Sequence, residues 1–344
     1  MRRDEARKSA GRRGPKPARA AALVVFGVIG ASGCVASRFD ARFLPADDVA
    51  RELESMTPGL GAETRATFRD VLATTLAEDA YTCAPSPREV FFGDVEEGER
   101  TIRGSMPHYR FFFGPMHYQV RRVGARGGAP GRWEVSARFA VVLPREGGTL
   151  ELADCDGKER YEGEVVCRGV PFSRSNATEA CPASGEFRVA GTRRNMEALL
   201  ARWSEEAEQY WNRDAERYGL PVRYDFTFLP HDQAAREGVP VDLTLPLSTT
   251  CGRTPYFWSL RSGWSLPVIA HEAGHLLGLV DEYEALSGIV PFYPKKPFPG
   301  AQTSRMGLSM KEDTILYPMH HWIVVRRYLC PEPSGRDPWG HAFQ

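Results

Sequence analysis

The chain has 344 residues, more than one ordinary domain, and its 18 Phe, 12 Tyr and 7 Trp within 42% hydrophobic composition exclude a largely disordered protein. Equal numbers of basic and acidic residues (44 each) hide an asymmetry. Residues 1–33 hold eight Lys or Arg against two acids, which leaves 36 basic and 42 acidic residues beyond them, and that balance gives no reason to expect nucleic acid as a partner.

The basic start leads into an apolar run, Ala20 to Ala31, and then Ser32-Gly33-Cys34. A charged segment, a short apolar segment and small residues before a cut make a secretory signal, and the apolar run falls short of the ~20 residues of a spanning helix. Cys34 after Ala-Ser-Gly resembles the lipobox of bacterial lipoproteins, in which that Cys is acylated and becomes the mature N-terminus; Ala31 stands where Leu is usual. The competing readings are an uncleaved anchor helix and plain signal cleavage nearby. The expectation is a signal peptide over 1–33, lipidation at Cys34 and an exported protein anchored in the cell envelope or secreted. Val35, in place of the Asp that signals inner-membrane retention, favours the outer membrane. With Cys34 acylated, six Cys remain (Cys83, Cys155, Cys167, Cys181, Cys251, Cys330), enough for three disulfides in an oxidising compartment. Six Cys allow 15 pairings; Cys251 with Cys330, flanking the segment described below, is the expected one.

Two helices are predicted over 46–56 and 62–82, the second with Phe68, Val71, Leu72, Thr75, Leu76 and Asp79 at helical steps. From about 88 to 190 the pattern turns to strands, including Tyr109–Phe113, Tyr118–Val123, Trp133–Leu143 and Glu164–Cys167, punctuated by Gly and Pro. A second unit opens near 185. There Thr192 has the place of an N-cap for a long helix carrying Met196, Leu199, Leu200, Trp203, Ala207, Tyr210, Trp211 and Ala215, ended by Gly219 and Pro221. Val222–Phe228, Val241–Leu245 and Tyr256–Leu260 read as strands, and Leu266–Leu279 as a helix.

That last helix contains His271-Glu272-Ala273-Gly274-His275. Two His four residues apart lie one above the other on a helix face, so their imidazoles can converge on one ion. Glu272 beside the first His has the type and place of a general base that takes a proton from water and hands it to a leaving amine. Imidazole and carboxylate ligands point to Zn2+, with a fourth position left for water. A chain of this length shows such a pattern by chance about one time in a hundred, and Gly278 with Asp281 makes coincidence rarer still.

The longer string His271–Asp281 resembles the metzincin signature H-E-x-x-H-x-x-G-x-x-[HD], in the Asp form of the snapalysin-like peptidases. The resemblance covers about 185–330 and is strongest at 268–283. It implies a zincin-like catalytic domain (a twisted sheet plus the active-site helix) over 185–344 and says nothing about 34–184, whose own pattern reads as a helical tether and smaller β-rich domain, so that the expected fold class is α+β. It also implies His271, His275 and Asp281 as metal ligands, with Glu282, Glu284, His320 and His321 as alternatives for the third. Met306, in Ser304-Arg305-Met306-Gly307, is the candidate for the family's Met-turn, ahead of Met310 and Met319 because only Met306 has an adjoining Gly. Leu308 stands where some subfamilies carry Tyr, so the oxyanion partner stays unassigned, with Tyr317 a minor candidate. His320 and His321 open a last helix, where they read as packing or surface residues. The Pro-rich stretch Ser287–Gly300 is expected as an exposed loop, either walling a substrate cleft or simply connecting.

The expected function is an exported zinc-dependent endopeptidase acting on protein or peptide substrates, tethered to the membrane through Cys34. The alternative is a non-catalytic lipoprotein that keeps the fold as a binding or assembly module. A zinc hydrolase acting on another substrate class is also compatible, and no pattern sets the oligomeric state.

Overall fold

The computed structural model describes residues 42–79, 81, 83–103, 117–128, 130–152, 158–161, 164–167, 188–249, 259–279, 282, 303–307 and 312–332. Cys34, the strand expected at 109–113, Cys251, Asp281, Glu284 and the Pro-rich 287–300 stretch lie outside them. Among the described residues no helix is long and apolar enough to cross a membrane.

The fold is mixed α+β, built on a central mixed sheet. Helices α1 (Ala46–Ser55), α2 (Ala62–Glu78) and α3 (Pro87–Phe92) come first. The sequence reading missed α3, although it carries the signals of a helix start: Ser86 accepts at its hydroxyl from the Glu89 amide (3.4 Å) and Pro87 opens the first turn. Strands β1 (Gly98–Arg103), β2 (His117–Val123) and β3 (Arg132–Val142) form an antiparallel meander. Three short strands follow, β4 (Thr149–Glu151), β5 (Lys158–Tyr161) and β6 (Glu164–Cys167), and then β7 (Arg188–Ala190), which pairs with β4.

Helix α4 (Arg193–Arg217) starts where Thr192 predicts, its hydroxyl accepting from the Asn195 amide at 3.2 Å. Strand β8 (Val222–Pro230), helix α5 (His231–Glu237), strands β9 (Leu243–Ser248) and β10 (Leu260–Arg261), helix α6 (Leu266–Leu276) and helix α7 (Pro318–Arg326) complete the order.

β3 is the spine of the sheet. Along one side it pairs in parallel with β8, from Trp133 opposite Val222 to Val141 opposite Pro230. Along the other side β2 takes residues 132–136 and parallel β9 takes 139–142. Trp133, Val135, Ala137, Phe139 and Val141 alternate inward, as a half-covered strand requires. Against the matching β8 face, Trp203 and Trp211 of α4 meet Phe228 and Tyr224 at ring separations of 6.0 and 4.6 Å.

This topology corrects the expected domain boundary. β3 belongs to the predicted N-terminal domain, β8 and β9 to the predicted catalytic one, yet they share one sheet, and residues 39–344 form a single compact unit. Periodicity identifies strands but not their partners, so the division at 184/185 was drawn through a sheet. Nor are α1 and α2 a tether: Val49, Leu53, Phe68 and Leu72 sit in the main core.

The expected Cys251–Cys330 pairing is likewise overturned. Cys330 is bonded to Cys83, with Cα atoms 5.6 Å apart. The reason is docking of the N-terminal helices on α7: the Trp322 indole donates to the Pro85 carbonyl (3.1 Å) and the Arg326 guanidinium to that of Tyr81 (2.8 Å). Buried Asp79 accepts from both Arg326 and Arg327.

Candidate metal centre

Helix α6 is buried along nearly its whole length, which the run Leu266-Pro-Val-Ile-Ala before the first His explains. It stops at Leu276, three residues short of the expected end. Gly278, at φ 81°, adopts the left-handed conformation that Gly takes at least cost. The amide of Leu279 then bonds the Gly274 carbonyl (2.9 Å) and that of Gly278 bonds His275 (2.8 Å), the pattern of a Schellman turn. The turn swings the Leu279 carbonyl back to Nδ1 of His275, 2.9 Å away.

The His271 and His275 rings stand 4.6 Å apart, centroid to centroid, at 89° to one another. Nδ1 of His271 lies 2.8 Å from the Arg305 carbonyl. A carbonyl accepts only, so both Nδ1 atoms carry a proton, which in the neutral ring puts the lone pair on Nε2. That is the tautomer a metal needs, fixed by the type of outer hydrogen bond found around metal-ligating His. Glu272 follows His271 on the same turn and is half-buried.

The structure sets Met306 against the helix that carries these two His. Residues 304–307 form a tight turn, with Gly307 N–H bonded to the Ser304 carbonyl (3.0 Å) and the Met306 amide to the Ser304 hydroxyl (3.2 Å). Met306 is fully buried and packs against the α6 backbone at Gly274. The same turn offers its Arg305 carbonyl to His271, so the orientation of that imidazole and the placement of Met306 come from one piece of backbone. Met319 instead lies on α7, and Met310 is outside the described residues.

Helix α4 supports the turn. Asp214, wholly buried, has its carboxylate 3.5 Å from Nε of Arg305 and accepts from the Leu316 amide at 2.9 Å. The Arg305 guanidinium lies over the Tyr210 ring, 4.2 Å from its centroid. Burial pushes the Arg305 pKa down to about 10 while Asp214 opposes the shift, so the side chain stays cationic near neutrality. Higher up, the Trp211 indole donates to the Ala270 carbonyl (2.9 Å) and ties α4 to α6.

Arg327 grips the far end of α6. Its guanidinium donates to the carbonyls of Leu277 (2.6 Å) and Gly278 (3.1 Å), and to the Tyr118 hydroxyl (2.9 Å). Burial alone would depress its pKa, but Asp79 and Tyr118 outweigh that and raise it. A buried cation at the negative end of the helix dipole suits those carbonyls. No sequence signal pointed to Arg305, Arg327, Asp79 or Asp214, because each acts across a long stretch of chain.

Of the alternatives for the third ligand, Glu282 and His320 are paired with each other, Nε2 to Oε1 at 2.7 Å. His321 turns its Nδ1 to the Tyr224 hydroxyl (2.8 Å) in the core. Tyr317 caps α7, and its hydroxyl lies 2.7 Å from that of Thr303. Among the described residues no group of three His, Cys, Asp or Glu side chains could hold a metal. Of the predicted ligands, the described residues include His271 and His275, and Asp281 lies outside them. The donor chemistry of that pair fits zinc: two imidazoles one helical turn apart, each with Nδ1 turned to a backbone carbonyl.

Comparison with protein-family models, with curated proteins and with solved structures gives no match for this chain.

Proposed function

We propose that this chain is a zinc-dependent endopeptidase with a zincin-like arrangement, in which His271, His275 and Asp281 hold the ion. One observation carries the reading: two imidazoles on successive turns of a buried helix, both with Nδ1 tied to backbone carbonyls, above a buried methionine turn. A zinc ion held by these residues would supply Lewis acidity toward a peptide carbonyl and toward the attacking water.

The chain's own residues do the rest. Glu272 takes the proton of the attacking water and returns it to the departing amine, so one carboxylate serves as base and then acid. Met306 gives an apolar floor without ligating. Asp214 and Arg305 hold the turn that orients His271, and Arg327 holds the turn that orients His275.

Export and anchorage through acylated Cys34 belong to the same proposal and rest on the Ala20–Cys34 pattern. The Cys83–Cys330 bond supports them, since such bonds persist in oxidising compartments.

The test is cleavage of a peptide library by the purified protein, with zinc content measured alongside. Wild type is expected to cleave and to carry about one zinc per chain, and Glu272→Ala to keep the zinc and lose cleavage. Cleavage that survives in Glu272→Ala would falsify the peptidase reading.

A further inference from the structure

We infer that the Cys83–Cys330 disulfide is a positioning clamp for His275, so that its reduction weakens zinc binding; the inference rests on the zinc reading above. The bond joins residues 247 positions apart, and neither cysteine is a neighbour of His275 in the chain. A continuous run of buried contacts links it to that imidazole.

Cys83 follows Asp79 by four residues, and Cys330 follows Arg327 by three. The crosslink therefore brings the two halves of a buried ion pair together, Nε of Arg327 donating to the Asp79 carboxylate at 3.0 Å. Arg326 closes the ring. It donates to Asp79 and to the Tyr81 and Cys83 carbonyls, and its Nη1 lies 3.7 Å from Sγ of Cys330. The other nitrogens of Arg327 hold the carbonyls of Leu277 and Gly278, and the next carbonyl, that of Leu279, accepts from Nδ1 of His275 at 2.9 Å. Buried ions are costly to keep out of water and persist only while their geometry is held. Once the bond opens, water can compete for Asp79 and Arg327, and the turn at 277–279 loses the grip that orients His275.

The two sulfurs are unequal. Cys83 is partly exposed and Cys330 is 1% exposed. The thiolate of a dithiol reductant attacks Sγ of Cys83, and the S–S electron pair leaves on Sγ of Cys330, where the Arg326 cation favours the thiolate. The second thiolate of the reductant then attacks the mixed disulfide and expels the Cys83 thiolate. Two electrons pass from the dithiol to the protein, the two protons of the dithiol end on Cys83 and Cys330, and the reductant leaves as its own disulfide.

The experiment is a redox titration of the full-length protein in reduced and oxidised dithiothreitol, with free zinc either clamped by a chelator buffer or removed. Differential alkylation with mass spectrometry reads the Cys83 and Cys330 thiols alone. Zinc is expected to raise the reduced-to-oxidised ratio at half-reduction about tenfold, because a bond that favours zinc binding is favoured by zinc to the same degree. In the reverse direction, Cys83→Ala combined with Cys330→Ala is expected to bind zinc about tenfold more weakly by chelator competition, and to alter the visible absorption of the cobalt(II) form. Arg327→Lys keeps a cation beside Asp79 but loses the fork that reaches both carbonyls, so in it zinc should shift the redox titration less than about threefold. Should either variant fail to fold, the wild-type titration decides. Coincident wild-type curves with and without zinc overturn the clamp while leaving the zinc site intact. An undiminished zinc shift in Arg327→Lys also overturns it, since the bond would then act through overall stability. Equal zinc binding by wild type and His271→Ala overturns the zinc reading itself, and this inference with it.

Discussion

Met306 lies so close beneath Gly274 that a Cβ built on the glycine would stand 2.5 Å from the thioether sulfur and 3.0 Å from the terminal methyl. The glycine inside His-Glu-Ala-Gly-His is therefore a contact surface between motif helix and Met-turn, despite the helix propensity it forfeits. The sequence names both residues, but only the fold sets one on the other.

Gly274→Ala tests that contact. Met306 is wholly buried, so its thioether has little room to retreat, and overpacking of this kind costs about 1–3 kcal/mol. The expected outcome is a lower thermal midpoint and weaker zinc binding, since the same turn orients His271. The double variant Gly274→Ala with Met306→Ala should lose less than the sum of the two single changes, because truncation removes the clash. Additive losses in a denaturation cycle would count against the contact.

Zinc removal should cost stability selectively. If His271 and His275 hold the ion, zinc binds the folded state and raises the thermal midpoint in proportion to the logarithm of its concentration over its dissociation constant. Chelation of the wild-type protein is expected to lower the midpoint, and His275→Ala to show the lowered value with or without chelator. A calorimetric scan that responds to zinc equally in both proteins sinks the assignment.

Asp79 stands at another joint. It faces Arg326 and Arg327, all three buried, and Arg327 in turn holds the last carbonyls of the motif helix. Burial pushes Arg326 down to about 10, so both guanidinium groups remain charged near neutrality. Asp79→Asn removes their shared counter-charge and is expected to destabilise by about 3–5 kcal/mol, read from urea unfolding. A change under about 1 kcal/mol would show that the cations find other partners.

What could be read from the sequence divides along chain separation. The Thr192 cap, the Gly278 turn and the spacing of His271 and His275 depend on atoms within a few residues, so propensity and pattern reach them. Cys83–Cys330, Asp79 with Arg326, and Asp214 with Arg305 join residues 247, 247 and 91 positions apart. Nothing local encodes such partners. The β3–β8 pairing is invisible in the sequence for the same reason: alternation marks each strand as half-buried and is silent on its neighbour.

His321 makes stability depend on pH in a way that can be isolated. Burial pushes its pKa down to about 3, and neighbouring His320 adds to the shift. The unfolded chain titrates near ~6.5, so between those values the unfolded state binds a proton that the folded state refuses. The contribution is therefore complete above about pH 6.5 and is lost progressively as the pH falls toward 3. From pH 7 to 4.5 the loss amounts to about 2.5 kcal/mol from this one group. His321→Asn keeps an acceptor for the Tyr224 hydroxyl, which sits 2.8 Å from Nδ1, but cannot titrate in this range. The variant will be less stable at neutral pH because the smaller side chain leaves a void. Its stability should nonetheless fall less steeply on acidification, so the gap to wild type narrows by about 2 kcal/mol between pH 7 and 4.5. Parallel curves for the two proteins in urea titrations over that range would mean that His321 is protonated in the folded state, and that the core around Tyr224 admits a charge.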